Sequence, residues 1–85
     1  MHKSRERYVR DILERYRTTP GTRGRVRDDD RSLAEDLYRR DISENDVRAA
    51  LLLAVARRTF RDPNLGPLQP IASLRYFLPI IEEIR

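Results

Sequence analysis

Three arginines at every second position, Arg23, Arg25 and Arg27 in the stretch TRGRVR, have the spacing that most directly suggests chemistry. A guanidinium carries a permanent charge and a planar fork of donors that fits phosphate oxygens. In an extended segment containing glycine, alternating arginines can follow a phosphate backbone or enter a minor groove. Arg7 and Arg10, with Lys3 and Arg17, fall opposite an apolar stripe on one helical segment and make a second basic surface. Tyr76 is the third candidate: an aromatic ring at the edge of a core can stack on a base, and its hydroxyl can touch a phosphate. Each has a plainer counterpart, namely a solvated linker, a solvated charged face and an edge-of-core tyrosine.

Other chemistry finds little support. The chain has no cysteine, and its one histidine, His2, stands at a terminus expected to fray, so neither a thiolate zinc site nor a Cys/His pair is expected. The run Asp28-Asp29-Asp30 reads as helix capping and neutralisation of nearby arginines rather than as a divalent-metal cluster. No Gly-Lys-Ser/Thr loop is present, and the four tyrosines all lie in apolar stripes. The expectation is a protein that is not an enzyme and uses no cofactor or metal.

The charge is polarised. Net charge is +4, yet residues 1–27 hold nine cations against three acids, and residues 28–85 hold nine against eleven. All cations but Lys3 are arginine, an excess that the base composition of a genome can produce by itself. The segregation has no such origin, and it is the electrostatic footprint of a binder of polyanions.

The elements that must position these residues are helical. Tyr8, Val9, Ile12, Leu13 and Tyr16 form one stripe of a helix over residues 4–18, with Ser4 as N-cap and Glu6–Arg10 and Asp11–Arg15 as i,i+4 pairs. Pro20-Gly21 stops it, and Gly24 loosens the linker that follows. A second helix is predicted over residues 30–40, carrying Leu33, Ala34, Leu37 and Tyr38, with Ser32 and Glu35 as its capping box. The third opens at Ser43 with Asp46 three residues on, and Ile42 and Val47 as a hydrophobic staple. Its centre, Ala49 to Ala56, is apolar nearly all round, which predicts a central helix buried on most sides. A proline-rich loop leads to a fourth pattern through Ile71, Leu74, Phe77, Leu78, Ile81 and Ile84, where Pro79 predicts a kink or a restart near Phe77–Leu78. The fold class is therefore all-α, a small three- to four-helix bundle. Residues 1–27 form its basic helix and arginine-rich linker, residues 28–85 its helical core, and the whole one compact domain. No apolar run approaches the ~20 residues of a membrane span, and the basic start lacks a signal-peptide core, so a cytoplasmic protein is expected.

The stretch from Leu33 to Ile84 resembles the C-terminal domain of DnaD-like replication proteins. The likeness lies in a short helix leading through RRDIS into a helix headed ENDVRAAL, a looped connection, and a last helix opening SLRYF. That family carries a tyrosine-x3-isoleucine-x3-tryptophan motif associated with DNA binding, and Tyr76, Ile80 and Ile84 occupy its positions. Ile84 replaces the tryptophan, and Pro79 interrupts the motif. The resemblance implies DNA binding and partners from replication or from a mobile genetic element. The expected function is thus a small DNA-binding protein with weak sequence preference, DNA being favoured over RNA, its candidate contacts Arg7, Arg10, Arg23, Arg25, Arg27 and Tyr76. The alternative is a helical protein–protein adaptor or regulatory module of antitoxin or anti-defence type. A homodimer is compatible with either, because small cores are often completed by a second copy.

Overall fold

The structure, a computed structural model, describes residues 4–85. Four helices follow one another: α1 (Arg5–Arg17), α2 (Asp28–Arg39), α3 (Glu44–Thr59) and α4 (Leu78–Ile84), with a 3-10 turn over Leu74–Phe77 running directly into α4. No strand occurs among the described residues; one isolated bridge joins Thr22 to Ile71. Lys3, assigned by its spacing to the basic face of α1, and His2 lie outside the described residues.

α1 starts as its sequence signals. The Ser4 hydroxyl accepts from the Arg7 N–H at 3.3 Å, and the five stripe residues Tyr8, Val9, Ile12, Leu13 and Tyr16 are all buried. Its surface pairs differ from expectation. Arg10 lies 3.7 Å from Asp11, and Arg15 lies 3.5 Å from Glu44 on α3, instead of the i,i+4 partners Glu6 and Asp11. Exposed pairs are weakly held, so the nearer carboxylate wins.

α2 begins two residues earlier than the pattern predicted, and Ser32 lies inside the helix instead of capping it. The reason is Asp30. One of its carboxylate oxygens accepts from the Arg27 N–H at 2.9 Å, closing the helix start, and the other accepts from the Leu74 N–H at 2.9 Å. Asp30 is 1% exposed, and a buried carboxylate is tolerable only when hydrogen bonds replace its water. It ties the head of α2 to the 3-10 turn. α2 ends in a Schellman arrangement. Asp41 adopts φ 57°, its N–H reaches the Tyr38 carbonyl at 3.0 Å, and the Ile42 N–H reaches the Leu37 carbonyl at 3.1 Å.

α3 carries the predicted cap, the Ser43 hydroxyl accepting from the Asp46 N–H at 3.1 Å, and both staple residues, Ile42 and Val47, are buried. The expectation that it is buried on most sides is corrected. Val47, Ala50, Leu51 and Ala54 face the core, Leu53, Val55 and Ala56 are half-buried, and Leu52 is 61% exposed. Two packed helix layers account for this. Axes ~8–10 Å apart plus two backbone radii of ~2.3 Å make about 14 Å of backbone thickness, and the molecule measures 46 × 25 × 16 Å. In a two-layer domain every helix has an outside.

Pro79 marks a restart, as expected. It sits in the first turn of α4, where its missing N–H would have no partner inside the helix. The segment before it coils as a 3-10 turn, so Tyr76 does not share one continuous helical face with Ile80 and Ile84. Phe77 is fully buried while Tyr76 is 45% exposed beside it, which places the aromatic pair as its spacing predicted.

Candidate nucleic-acid interface

Backbone contacts decide where the linker arginines sit. Pro20-Gly21 ends α1, and the chain then runs alongside residues 70–72 through two hydrogen bonds. The Ile71 N–H donates to the Gly21 carbonyl at 2.7 Å, and the Arg23 N–H donates to the Ile71 carbonyl at 3.1 Å. The positive φ of Gly21 is what favours glycine here, and the space beside it is also tight. Its φ is +93°, and a Cβ would stand 3.2 Å from the Arg58 guanidinium nitrogen. From Arg23 to Arg27 the chain is exposed until Asp30 anchors the next helix. The linker is thus docked at both ends with its middle open.

Arg23, Arg25 and Arg27 are exposed, and none lies within ion-pair distance of a described carboxylate. The basic face of α1 differs. Arg17 is held bidentate by Glu14 at 2.5 and 3.0 Å, which keeps the Glu14 carboxyl below its usual range, and Arg10 lies beside Asp11. Of the face Lys3, Arg7, Arg10 and Arg17, only Arg7 is unpaired among the described residues. Further along the chain Arg40 meets Glu82 at 2.6 Å, and Arg57 meets Glu83 in a second bidentate pair.

The structure separates the sequence candidates into two groups. Tyr8 donates its hydroxyl to the Ile42 carbonyl at 2.7 Å and meets the Tyr38 ring at 5.4 Å, so the first half of α1 lies by the α2–α3 turn. Tyr16 meets Phe77 at 6.1 Å, so the other end of α1 lies by the 3-10 turn. Arg7 and Arg10 therefore stand about 10–15 Å of helix away from the start of the linker. The linker that carries Arg23, Arg25 and Arg27 is tied at its two ends to the segment that leads to Tyr76 instead, by the Thr22–Ile71 bridge and the Asp30–Leu74 hydrogen bond.

Three further arginines join this seam. The Arg58 guanidinium lies 5.8 Å from the centre of the Tyr76 ring and donates to the Gln69 carbonyl at 2.9 Å. Arg31 and Arg75 are exposed and follow directly on Asp30 and Leu74, the two residues that their own hydrogen bond joins. Nothing in the local pattern marks Arg58, which reads there only as a cation at a helix C-terminus. A loop of more than ten residues separates it from Tyr76, and only the return of that loop brings them together. Exposed Asp28 and Asp29 temper the seam at the head of α2.

Among the described residues no group of three His, Cys, Asp or Glu side chains converges on a possible metal position, and no helix is long and apolar enough to cross a membrane. No protein-family model, curated protein or solved structure matches this chain.

Proposed function

We propose that this protein binds nucleic acid, DNA before RNA, along the seam between the linker and the 3-10 turn. The observation that carries the reading is the state of Arg23, Arg25 and Arg27. They are three neighbouring cations, exposed, with no described carboxylate within ion-pair distance, on a segment fixed at both ends. Neutralising phosphates releases condensed counterions, so the binding is mainly electrostatic. Phosphate contacts position a protein without reading sequence, so the sequence preference expected of such a grip is weak. Tyr76, braced by Phe77 at 5.2 Å and by Arg58, supplies an aromatic surface within the seam. The likeness of residues 33–84 to DnaD-like domains extends the reading to replication or to the mobility of a genetic element.

Fluorescence anisotropy with single- and double-stranded oligonucleotides at several salt concentrations tests it. Each phosphate neutralised on duplex DNA contributes about 0.9 to the slope of log affinity against log salt, so Arg23, Arg25 and Arg27 all changed to alanine should lower that slope by about 2–3. Affinity should fall equally for unrelated sequences, and circular dichroism should be unchanged, because none of the three packs in the core. Absence of binding even near ~50 mM salt would overturn the reading. Binding with an undiminished slope in the triple variant moves the grip to Arg7 on α1.

A further inference from the structure

Tyr76 is an exposed ring with fixed neighbours. It is 45% exposed, and the buried Phe77 ring meets it in a T-shaped contact at 5.2 Å, with the planes 74° apart. The Arg58 guanidinium lies 5.8 Å from its centre. Arg58 also donates to the Gln69 carbonyl at 2.9 Å, and its guanidinium carbon stands 3.7 Å from where a Cβ on Gly21 would be. One arginine therefore touches three segments: the start of the linker, the end of the proline-rich loop and the 3-10 turn. With 3.7 Å on one side of the guanidinium carbon and 5.8 Å on the other, the centre of the Tyr76 ring lies within about 10 Å of the linker's start.

We propose that the nucleic acid this protein takes is single-stranded, with an unpaired base stacked on Tyr76 while the start of the linker holds phosphates of the same strand. The inference rests on the nucleic-acid reading and deepens it. Phosphate contacts alone do not tell one strand from two, since both offer the same groups. An aromatic ring does. In a duplex the base faces are covered by their neighbours in the stack, and freeing one costs unstacking and unpairing. In a single strand the faces are open, and every base has one, so stacking tolerates any sequence. The geometry suits this ligand. Binding loses least entropy when the receiving side chain is already ordered, and Phe77 and Arg58 brace Tyr76 before anything binds. The spacing suits it as well. At ~3.4 Å of rise per nucleotide in a stacked strand, 10 Å is about three nucleotides. A strand whose phosphates meet Arg23, two residues past Gly21, therefore brings a base to the ring.

Three labelled probes of about 12 nucleotides separate stacking from charge: a thymidine strand, a strand of the same length with every base removed, and a duplex. The wild type should bind the thymidine strand about 5–150-fold more tightly than the baseless one, the range expected of one stacked base. Tyr76→Ala should abolish that difference and change duplex affinity by less than about twofold, whereas Tyr76→Phe, which keeps a ring, should preserve it. The chain has no tryptophan, so Tyr76→Trp supplies a lone fluorophore. The thymidine strand should quench its emission, and the baseless strand and the duplex should not. Equal affinity of the wild type for the strands with and without bases overturns the proposal and leaves the phosphate reading standing. So does a Tyr76→Ala variant that loses duplex and single strand equally. If none of the three probes binds, the nucleic-acid reading fails and takes this inference with it. Tyr76 lies outside the core, so circular dichroism should be unchanged in all three variants. Should Tyr76→Ala fail to fold, the quenching decides alone, and its absence on the thymidine strand is fatal to the idea.

Discussion

Tyr8 and Tyr16 sit on one stripe of α1, and both are buried, yet their hydroxyls differ. Tyr8 donates to the Ile42 carbonyl, whereas the Tyr16 hydroxyl has no hydrogen-bond partner among the described residues. Burial pushes the Tyr8 phenol up to about 12 from its ordinary 10.0, and the nearby charges of Glu44, Asp41 and Asp46 push in the same direction. A phenol whose folded pKa is raised contributes stability that is complete below its unfolded pKa and lost as pH rises through the folded one. The window is therefore pH 10 to about 12, and a shift of that size corresponds to about 2–3 kcal/mol. Denaturant titrations across this range should show an alkaline loss in the wild type that is smaller in Tyr8→Phe. At neutral pH that variant should cost about 1–2 kcal/mol, because it leaves the Ile42 carbonyl unpaired in the interior. Tyr16→Phe should cost less than about 0.5 kcal/mol, since it removes a hydroxyl that bonds nothing while keeping the ring against Phe77.

Helix ends are where element-scale forces show. The α2 C-terminus needs a residue in the left-handed region, and Asp41 fills it at φ 57°. Aspartate tolerates that conformation better than most residues, but glycine adopts it without steric cost. Asp41→Gly should stabilise the domain by about 0.5–1 kcal/mol, read as a higher urea midpoint at an unchanged m-value. Loss of stability instead would mean that the aspartate side chain anchors the turn. At the other end of the chain, Pro79 belongs to the first turn of α4 and interrupts nothing. The short 3-10 turn before it is held from outside by Asp30, forty-four residues away from Leu74 in sequence.

At the scale of the whole molecule the question is how much an 85-residue chain can enclose. Among the described residues seventeen apolar side chains form the core, drawn from all four helices and from Ile42, Ile71 and the 3-10 turn. α1 supplies five of them, so the basic segment is part of the same domain and not an appended arm. Depth of burial should order the cost of truncation along α3. Leu51→Ala, at a site 4% exposed, should cost about 2–4 kcal/mol. Val55→Ala, half-buried, should cost about 1 kcal/mol. Leu52→Ala, at a site 61% exposed, should cost less than ~0.5 kcal/mol as long as the chain is monomeric. Chemical denaturation at low protein concentration measures all three; equal costs at Leu51 and Leu52 would show that the inner and outer faces of α3 are wrongly assigned.

Local chemistry was written in the chain. The stripe of α1, the Ser4 and Ser43 caps, the Ile42–Val47 staple, the stop at Pro20-Gly21 and the restart at Pro79 all depend on residues within a few positions of one another, where spacing specifies geometry. So did the exposure of Tyr76 beside a buried Phe77. What tertiary structure alone decided involves contacts across long separations. Asp30 moved the start of α2 because a partner at Leu74 made a buried carboxylate tolerable, and that partner is invisible in the local pattern. The outer side of α3 is exposed because the apolar content of a helix reports its affinity for burial, while the number of layers stacked around it fixes how many sides are covered. The linker is tied to the segment that leads to Tyr76, and Arg58 lies over the Tyr76 ring, for the same reason. Charge along a chain is a property of sequence, but charge on a surface depends on which segments the fold lays side by side.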